Sequence, residues 1–251
     1  MMKLIVISSL MFIAGMLFIP PIPQDESYHN FADKRMMLGI PNAFDVLSNM
    51  LFFVAGIYGV YVLMWYSTTA FHDIDYIMPW WVMFISSSII AVGSGYYHWH
   101  PTTRTLFWDR LPMTISFMSI VDIIIAERIS LDTAKTLYLP LLLTGIGSVV
   151  WWAITEYFNM GDLRLYALVQ FTPVILTPTV LTFYPSKYTH GSYMMITVFC
   201  YLLAKLCEMY DYEIFSQTHN TISGHTLKHL IAGLGLFSLP YMLQHRRLST
   251  Y

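Results

Sequence analysis

MPWWVMFISSSIIAVGSGYYH, residues 78–98, is the stretch that decides the fold class. It carries no charged side chain before its final histidine. Its length matches the roughly 20 residues that cross ~30 Å of hydrocarbon as a helix. Further apolar runs lie on either side: Leu4–Ile19, Ala43–Tyr66, Phe107–Ala126, Thr136–Glu156, Leu165–Tyr184, Gly191–Glu208 and Gly224–Gln244. Over all 251 residues, 56% are apolar and only 11% charged, and the mean hydropathy is +0.55. A soluble domain carries about 25% charged residues. These figures exclude a disordered chain and argue against a soluble globule. They predict an all-α, polytopic, multi-pass membrane protein. Its seven-transmembrane-helix core occupies residues 24–251, behind an extra hydrophobic segment at residues 1–23. That first run is short, with Lys3 before it and Pro20-Pro21-Ile22-Pro23 after it. A signal peptide is one reading. The missing small-x-small cleavage site favours an uncleaved helix.

The net charge is −2, and no basic cluster exists beyond Arg246–Arg247. Nucleic acid is therefore not expected as a partner. Cys200 and Cys207 share one apolar run, roughly 10 Å apart along a helix axis. That is too far for a disulfide, so both read as small packing residues. Orientation follows from the Lys and Arg of the short loops. With the N-terminus in the cytoplasm, Lys3, Arg128, Lys135, Lys187, Arg246 and Arg247 fall inside, and Lys34, Arg35, Arg104, Arg110 and Arg164 outside. The bias is small, and it favours a cytoplasmic N-terminus.

Ionisable groups within spans are costly and usually face the protein interior or a water-filled cavity. Ser94 and His98 end the Met78–His98 run, Asp109 opens the next, and His225, Lys228 and His229 open the last. Each span reverses the side of the membrane. Counting reversals puts Ser94, His98, Asp109, His225 and His229 at one level, near the non-cytoplasmic face. His225 and His229 are i, i+4, so they leave one helix face a turn apart. That is the pairing helical zinc sites use. Three histidines with a fourth position open to water form the pattern of a catalytic zinc. Asp109, arriving after a turn through Pro101, is within range to orient a ligand or a water. A histidine pair alone would read as two interfacial polar residues. His100, past the helix end, reads that way. Lys228 is expected to leave another face than the histidines and to snorkel or pair internally.

Gly93-Ser94-Gly95-Tyr96-Tyr97-His98, then Asp109-Arg110-Leu111-Pro112-Met113, resembles the alkaline ceramidases of the CREST superfamily. That family has Ser-x-x-x-His, an Asp eleven residues later and a Leu-Pro-Met behind it. Its last helix carries His-x-x-x-His, matched here by His225-Thr226-Leu227-Lys228-His229. Ser48-Asn49, Glu127 and Asp211 also fall at family-like places. The likeness runs from about Asp33 to Leu243. Gly39-Ile40-Pro41-Asn42 through Asp45 and Ser223-Gly224-His225 resemble its prokaryotic branch. The resemblance implies a seven-helix core, Zn²⁺ held by His98, His225 and His229, and Ser94 and Asp109 as catalytic partners. It also implies hydrolysis of the amide of ceramide or a related N-acyl lipid. The eukaryotic enzymes bind Ca²⁺ through acidic residues. Here Asp33 matches one of these, but Asn42 stands where a carboxylate is usual, which leaves calcium doubtful.

The expected reaction is zinc-assisted amide hydrolysis. Asp109 moves a proton from the attacking water to the leaving amine. Ser94 holds the water or donates to the developing oxyanion. The bilayer and an N-acyl lipid are the expected partners; the sequence is silent on oligomeric state. Two other readings compete. One is a receptor-like or lipid-sensing protein with structural zinc; the other is a zinc-free lipid carrier or assembly factor. The Asp after Ser-x-x-x-His favours the enzyme, because a carrier has no use for a positioned base.

Overall fold

The computed structural model describes residues 18–71 and 76–249. Nearly all of the Leu4–Ile19 run lies outside the described residues. Among those described, the only regular elements are helices: α1 Ala43–Ser48, α2 Met50–Ala70, α3 Met78–Trp99, α4 Thr103–Arg128, α5 Leu131–Tyr157, α6 Arg164–Phe183, α7 Tyr193–Met209, α8 Asp211–Gln217, α9 Gly224–Leu236 and α10 Ser238–His245, plus a 3₁₀ turn at Glu26–His29. Each of the seven core runs becomes helical. Several helices extend beyond the run because a polar cap starts them. Thr102 and Thr105 form a reciprocal capping box, which starts α4 a turn before Phe107. The Ser130 hydroxyl accepts from the Thr133 N–H and draws Asp132 and Lys135 into α5.

Four helical spans are long and apolar enough to cross a membrane: Ala43–Ala70, Met78–Trp99, Leu131–Tyr157 and Arg164–Phe183. A fifth is reached if α7 and α8, bent by 79°, count as one broken span. Two other core runs do not meet that measure. The α4 helix carries Asp109, Arg110 and Asp122 in its interior. The last run, read as continuous over Gly224–Gln244, is divided at Phe237 into α9 and α10.

The bundle packs α3 between α2 and α4, and α4 against α5 and α6; α9 lies on α7 and α2. Trp80, Met83 and Phe84 of α3 meet Val62 and Leu63 of α2, Ile123 and Ile124 of α4, and Met242 and Leu243 of α10 in the largest apolar core. The outer surface is apolar as well. Trp65, Val92 and Phe199 are each about two-thirds exposed. A helix apolar on its outward face suits lipid rather than water.

Two arginines are buried, and both lie in aromatic boxes. Arg246 sits 4.3 Å over the Phe71 ring and 4.1 Å over Tyr188, and its Nη1 meets Glu127 Oε1 at 2.6 Å. This pins the end of α10 to α4. Arg110 lies 4.3 Å over Trp152 and 4.6 Å over Tyr166. At the α5–α6 loop, the Arg164 guanidinium holds the Asp162 carboxyl down at about 2. Arg164 also donates to the Ile19 carbonyl, and the Leu163 N–H to the Ile22 carbonyl. These bonds tie the Pro-rich break itself to the α5–α6 loop at one end of the bundle.

Candidate metal centre

His98 stands in the last turn of α3, and His225 and His229 in the first turns of α9. The ring centroids lie 4.7 Å apart for His98–His225, 4.8 Å for His98–His229 and 5.0 Å for His225–His229. Each ring offers one nitrogen within 4.8 Å of the others. All three are buried, His98 completely. This group has the composition and closeness of a metal-ion site.

The donor set fits a metal cation at two rings. Both nitrogens of His98 are buried without a hydrogen-bond partner. Leaving such atoms unsatisfied costs ~1–3 kcal/mol each, and a bound cation would satisfy one. At His229, Nδ1 lies 2.8 Å from Ser48 Oγ, whose proton goes to the Asp45 carbonyl oxygen at 3.1 Å. Ser48 therefore accepts from Nδ1–H, which leaves the Nε2 lone pair free for a ligand bond. His225 is held differently. Lys228 Nζ lies 2.6 Å from its Nε2 and 2.9 Å from Glu208 Oε1. For His225 to bind a cation through Nε2, the ammonium has to release it and stay with Glu208. Lys228 does pair internally. It does not leave a separate face as expected: at i, i+3 it is a helix-surface neighbour of His225, and its ammonium bonds both His225 and Glu208.

Two glycines set the helix spacing around these residues. A Cβ on Gly93 would lie 2.1 Å from the Trp108 carbonyl oxygen. Only glycine permits α3 and α4 to approach this closely, and the contact places Ser94 beside Asp109. Ser94 and Asp109 are both buried and line one cavity together. A Cβ on Gly224 would lie 2.1 Å from the Cys207 carbonyl oxygen. This close approach brings the His225 N–H to Asp211 Oδ1 at 2.7 Å, capping an otherwise free N–H of the first turn of α9. Asp211 Oδ2 accepts from the Ala32 N–H. Phe31 is thereby seated over the triad, 4.6 Å from the His98 ring and 4.7 Å from His225.

A cavity of about 330 Å³ opens beside this group. Ser94, Asp109, Arg110, Glu208, Lys228 and His229 line it together. Its remaining wall is mainly apolar, from Ile90, Met113, Phe117, Ile120 and Leu236. All five sequence-predicted residues thus meet at one end of the bundle: the three histidines as one group, Ser94 and Asp109 as a pair beside it. His100 is exposed, as expected.

The acidic residues near the N-terminus have structural work. Asp25 caps the 3₁₀ turn by accepting from the Ser27 N–H. Asp33 is buried and bonds the Arg35 guanidinium through both oxygens. Asn42 Nδ2 donates to the His98 carbonyl and anchors the end of α3. Sequence reasoning missed the covering role of Phe31, the Glu208–Lys228 pair beside His225 and the burial of Arg110. Phe31 has no local signal. Arg110 did: a guanidinium next to a candidate catalytic carboxylate. Outside the spans, His29 bonds Tyr97 Oη at 2.9 Å and Thr103 Oγ1 at 3.1 Å. Burial, and then the nearby Arg110 charge, hold its imidazole below the usual range.

No protein-family model matches this chain, and no curated protein matches its sequence.

Proposed function

We propose that the protein is a zinc-dependent membrane amidase that hydrolyses the N-acyl amide of ceramide or a related lipid. One observation carries the reading: a buried three-histidine group shares an apolar-walled cavity with a Ser–Asp pair. His98, His225 and His229 would hold the metal. Bound zinc would supply Lewis-acid activation of water and of the amide carbonyl. Asp109 accepts the proton of the attacking water at its carboxylate and returns it to the leaving nitrogen. Ser94 orients that carboxylate or donates its O–H to the carbonyl oxygen as charge develops there. The apolar wall takes the acyl chain. A receptor-like protein with structural zinc would call for a closed, four-ligand site. The group here has three ligands, which favours the enzyme.

The membrane reading extends to all seven core helices. Asp109, Arg110 and Asp122 are buried, so α4 turns its charges inward as a spanning helix must. The triad end of the bundle is assigned to the non-cytoplasmic side, from the loop charges. Arg104 is exposed at that end. An Arg104→Cys variant should react with a membrane-impermeant thiol reagent only from the non-cytoplasmic side; reaction from the cytoplasm alone would invert the orientation. For the activity, purified protein incubated with a panel of N-acyl lipids should release fatty acid and amine in equal amounts. Zinc-loaded protein that cleaves no member of a broad panel would defeat the amidase reading.

A further inference from the structure

Arg110 is 5% exposed. Nη2 donates to Gln24 Oε1 at 2.7 Å, and Nη1 is buried without a partner. Among the described residues, no carboxylate oxygen pairs with it within 4 Å. Arg246, the other buried arginine, has a comparable aromatic box and also has Glu127. The rings over Arg110 attract its charge through their faces. They do not satisfy its in-plane N–H groups, which form a fork suited to a carboxylate or a phosphate.

The cavity wall gives the same sign. Three cations, Arg110, Lys205 and Lys228, face two carboxylates, Asp109 and Glu208. Both lysines bond to Glu208. The wall therefore carries one cation more than it has carboxylates, and Arg110, on the same cavity as Ser94 and Asp109, is the cation that bonds to neither carboxylate. Isolated buried charge is costly, and an anionic ligand would relieve it.

Resting on the amidase reading, we infer that the substrate is an acidic N-acyl lipid, whose amine part carries a carboxylate or phosphate gripped by Arg110. The acyl chain then lies along Met113, Phe117 and Ile120, and the amide between, beside Asp109. The fatty-acid product supplies an anion of the same chemistry, so the test separates the two sources.

Binding to the zinc-loaded, full-length protein in micelles is measured for N-dodecanoylglycine, its neutral ethanolamide counterpart, dodecanoate and dodecanol. The glycine conjugate should bind about tenfold or more tightly than the ethanolamide, the worth of a hydrogen-bonded charge pair. Arg110→Gln should bring the two to within about twofold, and Arg110→Lys, with charge but no fork, should fall between. Any contact of the ligand carboxylate with zinc is common to all these proteins, so the change of the ratio on substitution isolates Arg110. Should Arg110→Gln not fold, the change of the ratio in Arg110→Lys decides. Equal binding of the two amides overturns the inference. So does a gain confined to dodecanoate over dodecanol, because Arg110 would then hold the product. If the acidic amide binds more tightly but neither amide is cleaved, the headgroup assignment stands and the amidase reading falls.

Discussion

Replacing His98 with alanine is expected to take the protein from about one zinc per chain, the loading of a three-ligand site, to near none, and to abolish amide hydrolysis with it. The expectation rests on the burial of three imidazoles against one another, with both His98 nitrogens unpartnered. Removing one of three ligands leaves two, too few to hold the ion in a catalytic geometry. Stability gives a second readout. A ligand bound only by the folded state stabilises it by about 2.7 kcal/mol at a hundred times its Kd. Chelation should therefore lower the melting temperature of the wild type and leave that of His98→Ala unmoved. Elemental analysis in chelator-free buffer, with melting curves with and without chelator, checks both. Zinc retained at the wild-type level in His98→Ala would remove this residue from the ligand set.

Asp109→Asn is expected to reduce turnover by ~10²–10⁴, the span for a lost general acid–base group, while zinc content stays at the wild-type level. Asparagine keeps the size of the side chain and can still meet the Ser94 hydroxyl, but it neither holds nor returns a proton. Asp109 lies outside the histidine group that would bind the metal. Chemistry and metal binding should thus separate: His98→Ala loses both, Asp109→Asn only the first. Single-turnover rates beside zinc analysis make the comparison. Wild-type hydrolysis by Asp109→Asn would strip the residue of the proton-transfer role.

The two substitutions differ because of where helix geometry places their targets. His225 and His229 are brought together by the α-helical repeat alone. His98 joins them because α3 ends against the start of α9, with Asn42 bonding its carbonyl and Phe31 covering its ring. Asp109 meets Ser94 because Gly93 lets α4 lie on α3. The i, i+4 spacing was legible, and so was the shared end of the bundle, since each apolar run reverses direction. The contacts made by Phe31, Asn42 and Asp211 were not, because each joins residues far apart in the chain.

Lys228 marks the same boundary. His225 and Lys228 are i, i+3 and so are neighbours on the helix surface, which the expectation of a separate face for Lys228 overlooked. A four-carbon stem with a mobile ammonium goes where its charge is best compensated. Here it goes to Glu208, and His225 lies on the way. Helical spacing allows the contact with His225; the choice of Glu208, twenty residues away in the chain, is made by the tertiary fold.

The sequence by itself determined the all-helical class, the places of the core helices and the five residues that converge at one end of the bundle. Those follow from local quantities: apolar run length, helical spacing and alternating direction. Only the packing of the helices decided that the last run breaks at Phe237, that Asp33 bonds Arg35, and that Arg110 is buried in an aromatic box with no ion pair among the described residues. A charge's partner is set by three-dimensional proximity in a medium where leaving it unpaired is costly, and no pattern along one chain encodes which distant side chain arrives.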